Sequence, residues 1–495
     1  MERLSLQTLD RVPEGWRPPY DPRELSTGIV HLGIGAFHRA HQALYTQLAM
    51  GKAGVGSWGI CGVTERSPAV AEVLAPQDCL YSVVVSSPAA TSLQVAGAVR
   101  EVLFARQQAG LLAERLSSPA TGVVTLTVTE KGYRMEPATG ELRSNDPELE
   151  ADAAGRAPET VLGQLAGGLE ARMRAGGPPI TVLCCDNMPA NGERLRRLVK
   201  AYCRLLPPGR ADRLLAWCEE NVSFPSSVVD RIVPAPTDAD RAKAAELLGL
   251  EDQAAIVTEP FSQWVLEDRF AGPRPAWEEA GAQLVADVAP YETMKLRLLN
   301  GSHSALAYLG ALAGHDLIAD AIGAPGFESY VRGLMDLDMT PTLSPPAGFD
   351  LAGYKDALLE RFANPVLRHK TTQVAMDGSQ KLPYRLLAPA RERLAAGAVP
   401  RHACLAVAAW MRYVSAGEND KGEPLPLEDP LAGRLHAAVS GLSTAPQVAG
   451  ALLGLREVFP AELAEDPRFR QVVTEDLATL ARHGASAAVA ALAAG

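Results

Sequence analysis

The sequence is poor in metal-binding and redox chemistry. Its seven cysteines (Cys61, Cys79, Cys184, Cys185, Cys203, Cys218 and Cys404) are odd in number and form no C-x-x-C and no Cys/His ligand spacing. This argues against a disulfide framework and a structural zinc, and fits a reducing cytoplasm. Long hydrophobic runs are absent too: none approaches the ~18 residues that a membrane-spanning helix needs. The first residues, Met1 to Glu14, are polar and carry acids, unlike a secretory leader. Positive charge is short. Lys and Arg number 47 against 58 Asp and Glu, a net charge of -11. That balance disfavours nucleic acid and anionic membranes as partners. An anionic substrate would need a local basic pocket against this background.

What is present describes a soluble globular protein: 495 residues, 47% hydrophobic and 21% charged. Two domains are the natural expectation at this length. Residues 1–27 are polar, Pro-rich and read as a wrapping arm. Gly28 opens a strand, Ile29–Leu32, that breaks at Gly33-Ile34-Gly35-Ala36-Phe37-His38-Arg39. A strand, a Gly-x-Gly turn and a helix are the phosphate-cradling arrangement of a dinucleotide site. The first Gly permits a tight turn, and the second admits the pyrophosphate to the backbone. Gly33, Gly35, Phe37, His38 and Arg39 are therefore the cofactor-binding candidates here. The usual third Gly is missing, and His38 stands in its place. His38 and His41, beside Arg39, fit pocket-edge or structural groups better than a metal cluster.

A second strand, Trp58–Val63, leads to Glu65, placed to hold the adenosine ribose hydroxyls of NAD. Arg66 beside it would suit a 2′-phosphate instead. Further strands are expected near Leu80–Val85, at Gly122–Thr129, at Ile180–Cys185 and at Leu284–Val288. The strand Gly122–Thr129 delivers Glu130 at its C-terminal end. The strand Ile180–Cys185 delivers Asp186-Asn187-Met188-Pro189-Ala190-Asn191-Gly192, ahead of a helix over Glu193–Leu206. Asn191 alone reads equally well as the cap of that helix. Asp230 follows in Phe224-Pro225-Ser226-Ser227-Val228-Val229-Asp230-Arg231-Ile232.

From Pro290 the periodicity becomes helical. Helices are expected at 293–313, 327–337, 350–363, 383–396, 401–416, 428–440, 446–456 and 465–492. The fold class is thus an α/β Rossmann-like dinucleotide-binding domain, 1–289, followed by a mainly α-helical domain, 290–495. The stretch Lys295-Leu296-Arg297-Leu298-Leu299-Asn300-Gly301-Ser302-His303-Ser304 carries the chemistry. At ~100° per residue an α-helix puts His303 ~80° and Asn300 ~140° round from Lys295. A Lys, an amide and an imidazole on one side suit proton abstraction from an alcohol.

The motifs K-x-R-x-L-N-x-x-H-S, G-x-G-x-F-H-R-A-H-Q, T-x-T-E-K-G-Y, C-D-N-x-P-x-N-G and F-P-x-x-x-V-D-R-I-x-P together resemble the polyol-specific long-chain dehydrogenases, the mannitol dehydrogenase family. The resemblance spans nearly the whole chain, in family order. It implies an NAD-dependent dehydrogenase in which Lys295 is the general acid/base and Asn191 and Asn300 are paired oxygen-polarising amides. By the same resemblance His303 binds a substrate hydroxyl and Asp230 lies at the substrate cleft. Lys295 would stand beside the interdomain cleft, with Glu292 and Glu130 as routes for its proton to solvent, and no metal is called for. The Lys295 pKa must then fall from ~10.4 toward ~7–8.

Within the family, the segment Arg361–Pro383 is more similar to the fructuronate reductase branch than to mannitol 2-dehydrogenases. Gln373 stands where the latter tend to carry Arg. A hexuronate carboxylate would find charge at Arg368, His369 and Lys370. The expected reaction is the NAD-linked interconversion of D-fructuronate and D-mannonate in the cytoplasm. The alternative is a mannitol, arabinitol or sorbitol dehydrogenase. Oligomeric state is not legible.

Overall fold

The computed structural model describes residues 1–54, 58–136 and 139–493. The chain divides into two compact units, Met1–Val288 and Ala289–Gly495. Among the described residues the strands, in chain order, are β1 (Thr27–Leu32), β2 (Gly59–Thr64), β3 (Tyr81–Ser86), β4 (Thr91–Ala96), β5 (Val99–Phe104), β6 (Val123–Leu126), β7 (Ile180–Cys184), β8 (Val222–Ser223), β9 (Ser227–Asp230), β10 (Ile256–Thr258), β11 (Gln263–Glu267) and β12 (Gln283–Val285).

The first unit is built on a parallel sheet in the order β5-β2-β1-β6-β7-β8. β2, β6 and β7 are buried along their whole length, as a sheet covered on both faces requires. Alternation along β1 sends Val30 and Leu32 into one core, with Leu162 and Leu165 of the helix Val161–Arg174, and Ile29 into the other, with Trp264 and Trp277. The chain runs outward from β1 to β2 and β5, then returns to β6 on the other side. The strand order therefore reverses between β1 and β6, and open α/β sheets hold ligands at the carboxyl ends of such a pair.

β3 pairs antiparallel with β4 and parallel with β10. The N-terminal arm covers this small sheet: Leu4, Leu9 and Val12 join Leu80, Val84 and Leu93 in a third core. Leu4 N–H donates to Glu251 O at 2.8 Å, and Glu251 N–H to Glu2 O at 2.7 Å.

The second unit is helical. Its expected first helix is three consecutive segments: α-helix Ala289–Met294, π-helix Lys295–Gly301 and α-helix Ser302–Leu312. Of two further π-helical segments, Pro383–Leu387 lies inside a stretch expected to be plain α-helix, and Leu334–Met339 begins inside another, 327–337, and runs past its expected end. The expected last helix breaks in two, Pro467–His483 and Ala485–Ala493, at Gly484 with φ 79°. There Ala485 N–H donates to the Asp420 carboxylate at 2.7 Å. The long helix Arg401–Ala416 is buried along most of its length and packs against Pro467–His483 and Ser302–Leu312.

Candidate active site

In the first unit the turn after β1 is fixed by backbone geometry. Gly33 has φ 92°, and a Cβ there would lie 2.3 Å from Thr127 O, so only glycine fits. Gly33 and Ile34 N–H both donate to Val63 O at 2.9 Å. At Gly35, by contrast, a Cβ would meet only Gly33 O at 3.9 Å. That open flank lets a ligand approach the backbone. Phe37 stacks on His41, with ring centroids 5.0 Å apart.

His38 is buried and stacks on His31 at 3.3 Å. His31 Nδ1 meets Thr125 Oγ1 at 2.7 Å and Nε2 meets Thr127 Oγ1 at 2.8 Å. Thr127 gives its hydroxyl proton to Gly33 O at 3.0 Å, so it accepts from His31 Nε2–H. Burial depresses the proton affinity of both rings, His31 to about 3 and His38 well below the usual range. The pair is neutral, and neither nitrogen of His38 has a hydrogen-bond partner.

Arg39 corrects the sequence reading. It is buried, donates to Ala254 O at 2.7 Å and Gly35 O at 3.3 Å, and lies over the Tyr81 ring. Its guanidinium braces the strand–helix turn from behind and is not presented to a cofactor.

Glu65 follows β2. Both its carboxyl oxygens are buried without a hydrogen-bond partner. Burial pushes its pKa up to about 7, against the opposing influence of Gln164 and Arg106. Two orphaned acceptors beyond the second strand are what a ribose diol satisfies. The glycine turn and Glu65 therefore fit the adenosine half of a dinucleotide.

Glu130 is exposed on a single helical turn, Thr129–Gly132. That turn is pinned by Asp186, which sequence reasoning quoted but gave no role. The Asp186 carboxylate accepts from Val128 N–H at 3.1 Å, Thr129 N–H at 2.8 Å and Tyr133 Oη–H at 2.5 Å. Spacing gave no sign of this, since the partners lie more than fifty residues apart in sequence.

Asn191 is a second correction. Its Nδ2 donates to Asp186 O at 2.9 Å and Ser227 O at 2.8 Å, and its Oδ1 accepts from Ser227 N–H at 2.9 Å. Both amide hydrogens are committed to backbone, so the group ties the β7–helix turn to β9 and has none left to polarise a substrate oxygen. It does not cap its helix either. Asp230 ends β9 and is buried and bonded. Arg231 next to it donates to Ala40 O and Glu259 O.

In the second unit Lys295 and Asn300 are buried, 7% and 8% exposed. They are the first and sixth residues of the π-helical segment. A π-helix bonds i to i+5, so residues five apart stack on one face. The local winding thus aligns Lys295 with Asn300 more closely than the ~140° of an α-helix. The Asn300 Nδ2 amide is buried and without a partner, an unspent donor beside the lysine. Glu292 sits three residues ahead on the preceding helix and is bonded within the protein.

Two contacts hold the segment. Arg297 grips Glu392 through two bonds of 2.6 Å and donates to Thr342 O at 2.7 Å. Gly301 lies so close to the third π-helical segment that a Cβ would sit 2.9 Å from Arg385 O. His303 is half-buried, with the His369 ring 4.7 Å and the Phe362 ring 5.3 Å away. Burial first, then the charges of His369, Arg385, Arg361 and Lys381, hold its pKa well below the usual range. His303 is therefore a neutral hydrogen-bonding group.

The expected Arg368-His369-Lys370 cluster does not act as one group. Arg368 and Lys370 are exposed on either side of His369, which alone faces His303. Arg368 ends the short helical turn Pro365–Leu367 in the left-handed conformation, φ 44° and ψ 39°, and Lys370 pairs through its backbone with Leu317, so the three residues do not share one face. Among the described residues no group of three or more His, Cys, Asp or Glu is placed to hold a metal ion, and no helix is long and apolar enough to cross a membrane.

A doubly wound dinucleotide domain joined to a helical unit bearing a Lys–Asn–His helix defines a nicotinamide-dependent oxidoreductase. The chain belongs to the mannitol dehydrogenase family. Residues 27–279 match the mannitol dehydrogenase Rossmann domain and 287–481 the mannitol dehydrogenase C-terminal domain. It is thereby an NAD-dependent oxidoreductase acting on CH–OH groups. It is 43% identical to D-mannonate oxidoreductase of Escherichia coli (strain K12), over 96% of this chain and 98% of that one. It is 37% identical to mannitol 2-dehydrogenase of Phaeosphaeria nodorum, over 99% of this chain and 85% of that one. Among solved structures, Pseudomonas fluorescens mannitol 2-dehydrogenase in ternary complex with NAD and D-mannitol superposes with TM-score 0.87 at 36% identity, covering 99% of each chain.

Proposed function

We propose that this enzyme interconverts D-fructuronate and D-mannonate in the cytoplasm. The observation that carries the substrate assignment is the 43% identity to D-mannonate oxidoreductase over 96% of the chain. The Arg361–Pro383 segment supports the same branch.

Bound NADH supplies a hydride to the C5 ketone carbon. Protonated Lys295 gives its proton to the ketone oxygen, and in the reverse direction neutral Lys295 takes the hydroxyl proton. The unspent Nδ2 of Asn300 donates to that oxygen as charge develops on it. Neutral His303 orients a neighbouring hydroxyl, and Asp230 holds another. Glu292 and Glu130 are the groups that exchange the proton with solvent. Gly33, Gly35, Phe37 and His38 line the pyrophosphate side of the cofactor, and Glu65 takes the ribose hydroxyls. An ammonium and an amide supply what a Lewis acid otherwise would, so the scheme needs no metal.

NADH consumption with D-fructuronate and D-fructose side by side tests the reading. Strong preference for fructuronate is expected, and Lys295→Ala must lose roughly 10²–10⁴ in rate. The second reading, a mannitol 2-dehydrogenase, is favoured by the likeness to the mannitol-bound structure and predicts preference for fructose. Near-normal turnover by Lys295→Ala would refute the mechanism under either reading.

A further inference from the structure

The order of the strands says which half of a dinucleotide each turn meets. Glu65 follows β2 and fits the adenosine ribose, and the glycine turn after β1 fits the pyrophosphate. A cofactor laid in that direction puts its nicotinamide half over the next strand, β6. The chain leaving β6 makes the single helical turn Thr129–Gly132, with Glu130 exposed on it. This stretch closes on the glycine turn: a Cβ on Gly33 would lie 2.3 Å from Thr127 O and 2.9 Å from Val128 Cγ1.

The turn opens on a strained residue. Thr129 has φ 64°, in the left-handed region that a β-branched side chain rarely enters. In the turn that follows β7, Ala190 has φ 47°. Strain of this kind persists only where the surroundings over-determine it, and it gathers at functional sites.

One residue reaches both places. The Asp186 carboxylate accepts from Val128 N–H at 3.1 Å and Thr129 N–H at 2.8 Å, the consecutive amides that lead into the strained residue. Tyr133, fully buried just past the other end of the turn, donates its hydroxyl to the same carboxylate at 2.5 Å. The Asp186 carbonyl accepts from Asn191 Nδ2 at 2.9 Å, one residue beyond Ala190. An ionised carboxylate is acceptor only and takes all three donors at once, which an amide in its place could not.

We infer that Asp186 is a positioning residue for the cofactor: it holds Thr129 left-handed, and so shapes the turn after β6 to receive the nicotinamide half. The inference rests on the reading that places the ribose at Glu65 and the pyrophosphate at the glycine turn. It gives a purpose to the strain, and to a carboxylate buried away from every basic side chain that donates to it.

The test titrates NADH, and ADP-ribose, which lacks the nicotinamide, into the intact enzyme and its variants by calorimetry, with Tm as the check on folding. Without the clamp Thr129 relaxes in most molecules, and affinity falls by the fraction that stays competent. Asp186→Asn is therefore expected to weaken NADH binding roughly tenfold to a hundredfold, while ADP-ribose binding holds. Adding Thr129→Gly to Asp186→Asn should return much of the loss, because glycine enters positive φ without strain. An aspartate that only supported the fold would show neither the selectivity nor the rescue.

If Asp186→Asn does not fold, Tyr133→Phe makes the same comparison. It removes one of the three donors and should weaken NADH alone, by roughly threefold to tenfold. Equal loss of both ligands, no loss of either, or a double variant no better than Asp186→Asn would overturn the inference while leaving the placement of the cofactor intact. ADP-ribose binding that Glu65→Gln left unmoved would overturn that placement, and the inference with it.

Discussion

At the scale of single residues, two buried polar groups look alike and do opposite things. Glu65 keeps both oxygens unpartnered, while Asn191 spends its whole amide on backbone. The Glu65 pKa is raised from 4.5 to about 7. Ribose hydroxyls donate to the ionised form, so NADH affinity should fall as pH drops through about 7, by roughly tenfold per unit well below it. Fluorescence titration of NADH between about pH 6 and 8 reads this, and Glu65→Gln should flatten the profile. Folding responds with its own sign. Because the folded pKa lies above the unfolded one, the cost of ionising Glu65 is absent below pH 4.5, grows toward 7 and is complete above it. The cofactor-free protein therefore loses stability across that window as pH rises. Asn191→Ala should act through folding. It leaves buried backbone groups without partners, each worth about 1–3 kcal/mol, so Tm should fall clearly. A loss of ~10²–10³ in kcat at unchanged Tm would instead restore it as an oxygen-polarising amide.

At the scale of elements, the winding of Lys295–Gly301 matters more than its composition. Three π-helical segments meet here, Lys295–Gly301 packing against both Leu334–Met339 and Pro383–Leu387. Gly301 allows the last of these contacts. Gly301→Ala forces a methyl to 2.9 Å from Arg385 O. Overpacking of this kind costs about 1–3 kcal/mol, a few degrees of Tm in a unit of this size. Displacement of Asn300 should lower kcat as well. If calorimetry and turnover are both unaffected, the close approach is not needed.

This element also marks the limit of what sequence reasoning reaches. The spacing of Lys295, Asn300 and His303 identified the helix and its polar groups. A π-turn has no hydrophobic period of its own within seven residues, so the α-helical angle was the default and was wrong for Asn300. Strands buried on both faces, such as Ile180–Cys184, were legible as β-branched runs. Val99–Phe104 was not, because Arg100 and Glu101 break its apolar pattern at the sheet edge. The split at Gly484 was missed because one glycine inside a strong helical pattern is usually tolerated.

At the scale of the whole molecule, the change of periodicity at Pro290 lies beside the division after Val288. A parallel sheet announces itself in strand–helix alternation, and a helical unit in its absence. The acidic balance and the absence of ligand spacing were equally readable. One feature of the chain has a use beyond stability. All seven thiols are buried, and burial raises the pKa of each, to about 11 for Cys79 and about 12 for Cys203 and Cys218. Six belong to the first unit, and Cys404 alone to the second. Alkylation can therefore proceed only through opening of the unit that holds the thiol. Peptide-resolved labelling rates then act as two separate clocks, six hands on one dial and a single hand on the other, timing how often each unit breathes.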